Sequence, residues 1–159
     1  MPRTQALHPN LGAFLDMLAV SEGTSTIEDS DDGYDVLVGG TLFEGYHDHP
    51  RKLVDLPRLG IKSTAAGRYQ LLARYWDAYR GLLSLRDFGP ESQDAVALQQ
   101  IRECGAIPYL EAGGLQAAIA QCRHIWASLP GAGYGQHEQS LARLKAAYQA
   151  AGGHLVAIV

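Results

Sequence analysis

Cysteine is scarce in this chain: Cys104 and Cys122 are the two in 159 residues. Neither has a second cysteine at CxxC spacing, which excludes the usual zinc and dithiol motifs, and both fall in segments that read as helical. Reduced, buried thiols are expected. Long hydrophobic runs are also missing. The N-terminus, MPRTQALHPNLGAFLDMLAV, has one early arginine, and then His8, Pro9 and Asp16 interrupt any stretch fit for a signal peptide or a membrane anchor. A cytoplasmic protein with no stable membrane association is expected. Positive charge is not in excess: 13 Lys+Arg against 17 Asp+Glu leave a formal net charge of -4. No global basic field draws the protein to nucleic acid, and any attraction to an anionic polymer has to come from local basic stretches.

What is present suits a soluble globular protein, with 47% hydrophobic and 19% charged residues. The length fits a single domain, 1–159, large enough for a real core or a core shared between two small lobes. Leu11, Phe14, Leu15, Leu18 and Ala19 follow helical spacing after Pro9 or Asn10, and Gly23 closes the helix. Residues 24–33 are polar and turn-rich. YDVLV, GG and TLFEGY then read as a β-hairpin. HDHPRKLVDLPRLGIK, residues 47–62, has two prolines and no sustained period, and is long for an idle connection. Helices are expected over 65–83 with Ser63 or Thr64 as cap, from Pro90 to Glu103, over 115–129, and over 138–151 up to Gly152 and Gly153. No internal repeat is seen, and the class is α+β.

Several side chains carry chemistry. Glu22 lies about three helical turns beyond Leu11, so its carboxylate shares the core-facing side. At a helix C-terminus, unpaired carbonyls and apolar neighbours disfavour the ionised form and raise the pKa, which is how a general acid is made. A capped surface glutamate before Gly23 explains the same pattern. Asp35 in GYDV is the next carboxylate, since two acids flanking a scissile bond are the usual glycosidase equipment. A turn aspartate is its plainer reading. KSTAAGRYQ joins capping hydroxyls to Arg68, Tyr69 and Gln70, groups suited to a neutral polar ligand or to a simple helix start. The loop PGAGYGQH, residues 130–137, sets three glycines around Tyr134 and ends in Gln136 and His137, as a lip offering an aromatic face to a sugar ring or as an interhelical turn. His47, Asp48 and His49 invite a zinc reading, but neighbours in an extended segment diverge and no helical His motif accompanies them. No phosphate-loop spacing occurs.

The blocks AFLDMLA, SEGT, GYDV, VGG, DHPRKLV, AGRYQLL, SQDAVALQQI and IWASLPGAGYGQ, with AAGG near the end, together resemble the lambda-type endolysins, a family of lytic transglycosylases. Val20 and Ala65 depart from the family's pattern. The resemblance implies a lysozyme-like α+β fold of two lobes, mainly helical with a small β-hairpin lobe, and a cleft between them whose lips are the long loop and the GAGYG loop. It implies Glu22 as catalytic acid and peptidoglycan glycan strands as partner, cut between N-acetylmuramic acid and N-acetylglucosamine to leave 1,6-anhydro ends. Asp35 becomes a helper that orients hydroxyls or tunes Glu22. Gln70 and Gln100 are expected to bond sugar amides, with Ser63, Arg68, Tyr134 and Gln136 as further contacts. No metal or organic cofactor is implied. The protein is expected as a monomer that reaches the periplasm from the host cytoplasm through a hole made by a holin. A hydrolytic muramidase using Asp35 as base, and a non-catalytic glycan-binding phage component, are the alternatives.

Overall fold

The computed structural model describes residues 1–5 and 7–156. Ala6 and the last three residues of the expected domain, Ala157, Ile158 and Val159, lie outside the described residues.

Helix α1 runs Pro9–Glu22. Proline fits its first turn, where no N–H is needed, and Gly23 ends it in the left-handed region at φ 75°. The helix is buried on most of its circumference, with Phe14, Leu15, Met17 and Leu18 fully covered. It packs against α4 (Ile107–Glu111) and α6 (Leu141–Ala150). Helices α2 (Ala73–Leu82), α3 (Pro90–Glu103) and α5 (Leu115–Cys122) complete the helical set. Among the described residues no helix is long and apolar enough to cross a membrane.

Two cores result. The larger gathers Phe14, Leu15 and Leu18 of α1 with Ile101, Leu110, Ile119, Trp126 and Tyr148. The smaller gathers Leu37, Leu71, Trp76, Phe88 and Val96. Helix α3 gives Val96 to one and Ala97 and Ile101 to the other. Each large apolar side chain so buried contributes about 1.5–3 kcal/mol.

The structure moves the β-hairpin. Strands β1 (Val54–Leu56) and β2 (Ile61–Ser63) pair antiparallel within the segment read as a long loop. Pro57 is what made that segment look irregular, yet it occupies the turn itself. Leu59 N–H donates to Leu56 O (2.9 Å) and Gly60 N–H to Pro57 O (3.2 Å), the use of proline as second residue of a tight turn. At the expected hairpin, Gly39 and Gly40 do reverse the chain, but only Val36 and Leu42 bridge. The ladder stops because that backbone bonds elsewhere: Val38 N–H donates to Ala65 O (3.0 Å) and Gly67 N–H to Val36 O (2.8 Å).

The helix expected over 65–83 begins only at Ala73. Gly67 at φ 81° and Gln70 at φ 54° hold a loop there, closed by the bridge between Ala66 and Leu71. Thr64 still caps the helix, across that loop, by accepting from the Ala73 N–H (3.1 Å). The segment 115–129 is helical only to Cys122 and then runs in turns. The last helix starts at Leu141, with Ser140 accepting from Arg143 N–H (3.2 Å) as its cap. Helix α4 had no expected counterpart. Cys122 is buried and Cys104 half-buried, both as free thiols.

Candidate active site

Helix α1 delivers Glu22 to the wall of a continuous cleft. On one side of it lies a recess of about 560 Å³ between the β1–β2 turn (Leu56, Pro57, Arg58, Leu59) and Ser128, Gln136, His137 and Gln139. On the other lies a recess lined by Ile27, Val36, Leu37 and the Gly39–Gly40 turn, with Gln70 at its far end. Gln70 also opens the next recess, lined by Leu72, Tyr75, Tyr79, Gln100, His124 and Trp126. Glu22 and Gly23 border the first two recesses and Gln70 the last two, so the three lie in series. Among the residues lining these three recesses, Glu22 is the sole carboxylate.

The Ser128 hydroxyl donates to Glu22 Oε1 at 2.6 Å. Ser21 Oγ stands 2.7 Å from Ser128 Oγ. A hydroxyl has one proton, so while Ser128 gives its own to Glu22, Ser21 donates to Ser128. Gln139 ties the same loop to the helix end, its N–H donating to Ser128 O (2.8 Å) and its amide to Ser21 O (3.3 Å). Burial pushes the Glu22 carboxyl up to about 7, against the opposing pull of the Ser128 hydrogen bond. The rise expected for this carboxyl is found, with burial as its cause.

The other expected residues divide. Gln136 and Gln70 line the cleft. Gln70 spends its amide N–H groups on Gly67 O (2.9 Å) and Val36 O (3.2 Å), which leaves its carbonyl oxygen to accept from a ligand. Gln100, though buried, borders the recess that Tyr75 walls. Tyr134 is 57% exposed on the glycine loop, with its hydroxyl donating to His124 O (3.2 Å). Ser63 ends strand β2 and accepts from Ala65 N–H (3.1 Å).

Ser63 and Tyr134 lie outside the residues lining the three recesses, and two further expectations do not fit the geometry. Arg68 is buried, its guanidinium bound to Asp16 (2.7 Å), Asp32 O (3.0 Å) and the Tyr69 hydroxyl (3.1 Å). It ties α1 to the turn at Asp32 and offers no donor to the cleft. Asp35 turns its carboxylate to the Asp31 N–H (2.8 Å) and lies outside the set lining the groove. A side chain anchored to its own turn is not placed opposite Glu22. Of the run His47–Asp48–His49, His47 is exposed and the other two are spent on packing. Asp48 accepts from the Trp76 indole (2.8 Å) and binds Arg51 and Arg80. His49 donates Nε2–H to Leu71 O (2.8 Å) and accepts at Nδ1 from Arg51 N–H (3.0 Å). Burial pushes its pKa down.

Sequence reasoning missed Ser21, Ser128, Arg58 and Gln139. Ser128 meets Glu22 across 106 positions of chain, a separation that no local periodicity reports.

The sequence profile of the Endolysin family matches residues 12–155. The endolysin of Escherichia phage lambda is 61% identical over 144 residues, covering 89% of this chain and 90% of that protein. The endolysin of Escherichia phage P2 is 51% identical over 156 residues, covering 92% and 94%. The solved structure of bacteriophage lambda lysozyme complexed with a chitohexasaccharide superposes with a TM-score of 0.91 at 55% identity, over 96% of this chain and all of that one. A second lambda lysozyme structure gives 0.87 at 54%. The fold is lysozyme-like α+β.

Proposed function

Because this chain belongs to the endolysin family, we propose that it lyses the host by cutting peptidoglycan glycan strands as a lytic transglycosylase, with Glu22 as both acid and base. The carrying observation is a single carboxyl in the cleft wall, held to about 7 by burial and bonded by Ser128. Near neutral pH a large share of it is protonated and able to donate. It gives that proton to the glycosidic oxygen between N-acetylmuramic acid and N-acetylglucosamine as C1 takes on oxocarbenium character. The carboxylate left behind then takes the proton of the muramic acid C6 hydroxyl as that oxygen attacks C1. The product is a 1,6-anhydro end, and no water is consumed.

Hydrolysis by the usual routes requires a second carboxylate, as nucleophile or as base for water. Asp35 is bound to the Asp31 N–H instead, and this favours the anhydro route. Gln70, Gln100, Tyr134 and Gln136 are the sugar contacts in this reading, and the similar lambda lysozyme, solved in complex with a chitohexasaccharide, supports a glycan as the ligand. The enzyme acts as a monomer without metal or organic cofactor. It is made in the host cytoplasm and meets its substrate in the periplasm once a holin opens the inner membrane.

Mass spectrometry of digested peptidoglycan tests the reaction: muramic acid ends lighter by one water are expected. Hydrated ends would show a muramidase. Glu22→Gln is expected to abolish lysis while the protein still cosediments with peptidoglycan, and a lytic variant would remove Glu22 from the mechanism.

A further inference from the structure

A net charge of -4 gives this chain no long-range pull toward an anionic polymer. Residues 51–62, RKLVDLPRLGIK, are the local exception, with Arg51, Lys52, Arg58 and Lys62 against Asp55. The structure sorts these charges. Arg51 is committed to Asp48 and Asp77. Lys62 is the cross-strand partner of Asp55 in the β1–β2 hairpin. Arg58, in the turn between the strands, has no ion-pair partner among the described residues, and neither do Lys52 and Lys62, but of the three it alone lines a recess of the cleft.

Arg58 is also the one cation among the Lys and Arg side chains of the three cleft recesses, and it lines the recess that holds Glu22. Its backbone is fixed by Pro57 and by the Leu59–Leu56 and Gly60–Pro57 hydrogen bonds. The side chain is exposed. Toward Gln70, Tyr75, Tyr79 and Gln100, by contrast, the groove carries no charged Lys, Arg, Asp or Glu, which suits acetamido sugars. One end of the cleft therefore reads charge and the other reads neutral sugar.

Building on the reading of this cleft as a peptidoglycan site, we propose that Arg58 is a specificity-determining residue that binds a carboxylate of the peptide stem carried by muramic acid. A guanidinium pairs with a carboxylate through two parallel N–H donors, a geometry that a bare N-acetylglucosamine polymer cannot satisfy because it has no carboxylate. The cleft then selects peptide-bearing strands over bare glycan, and the hairpin supplies the attraction that the net charge withholds.

The test compares two substrates: intact peptidoglycan, and the same strands stripped of their stems by an amidase, with the lactyl carboxylates that this hydrolysis exposes capped as neutral amides. For Arg58→Gln the KM on intact peptidoglycan is expected to rise about fivefold with kcat little changed, the upper range for a partly solvated ion pair. On stripped strands wild type and variant should coincide. Arg58→Lys should keep most of the preference, and high salt should flatten it. Equal loss on both substrates would place Arg58 on the sugar, and no loss on intact peptidoglycan would remove it from recognition. Either result overturns the proposal. Cosedimentation of Glu22→Gln, with and without Arg58→Gln, on both materials repeats the comparison without cleavage. A wrong reaction assignment would show as hydrated ends in the product analysis, and would leave this binding comparison readable.

Discussion

A carboxyl that burial pushes up to about 7 changes charge near neutral pH, so the pH profile tests the role proposed for Glu22. In the proposed mechanism the acid form breaks the glycosidic bond, and kcat/KM should fall as pH rises through about 7. Ser128 opposes the effect of burial by bonding the ionised form. Ser128→Ala removes that stabilisation, so the proton is held more tightly and the alkaline limb moves to higher pH. The same loss disfavours the carboxylate that acts as base in the proposed mechanism, and kcat should drop about tenfold, the worth of one charge-assisted hydrogen bond. A pH–rate profile on peptidoglycan checks both effects. A drop in rate with an unmoved limb would mean that Ser128 supports the loop and not the acid.

At the scale of elements, the loop 65–72 decides whether α2 is aligned with the cleft. Gly67 has φ 81°, and a Cβ there would stand 2.3 Å from Gln93 Oε1. Gln93 has no room to yield, since it accepts from Arg68 N–H (2.9 Å) and donates to Phe88 O (2.8 Å) and Tyr34 O (3.0 Å). Gly67→Ala should therefore destabilise the fold by about 2–4 kcal/mol, through backbone strain and broken buried hydrogen bonds. Urea denaturation measures it, and a loss below about 1 kcal/mol would show that the loop can relax.

The same loop marks where the sequence stops being legible. Apolar spacing set α1 and α3, because Pro9, Gly23 and Pro90 mark helix ends by local rules. Tyr69, Leu72 and Trp76 are spaced as on a helix, but positive φ at Gly67 before them and at Gln70 between the first two breaks the period. The sheet went unread for a related reason: Pro57 signals irregularity locally and a tight turn only when flanking strands pair. Glu22 was legible as an inward-facing acid. Its partner Ser128 and the cation Arg58 were not, since both reach the cleft through tertiary placement.

For the whole molecule, α3 is the member common to both cores, and Asp94 is its buried centre. Its carboxylate accepts from Arg3 N–H (2.7 Å), Thr4 N–H (2.9 Å), Tyr34 hydroxyl (2.8 Å) and Tyr69 hydroxyl (2.7 Å). Asp94→Asn sets an amide donor against two of these donors and should cost about 3 kcal/mol. Trp76 lies in the smaller core and Trp126 in the larger. Single-tryptophan variants can follow each lobe separately, and both should report one shared thermal midpoint, lowered together by Asp94→Asn. Two separated midpoints would show that the lobes unfold independently.

The loop that brings Gln136 and His137 to the cleft has Ser128 at its root, hydrogen-bonded to the acid at 2.6 Å. A displacement of the loop that lengthens this bond while leaving Glu22 covered tightens its hold on the proton, and one that admits water loosens it, because burial is the larger influence. Posture of the lip and strength of the acid are thus coupled, and proton affinity serves as a gauge of how the mouth is set.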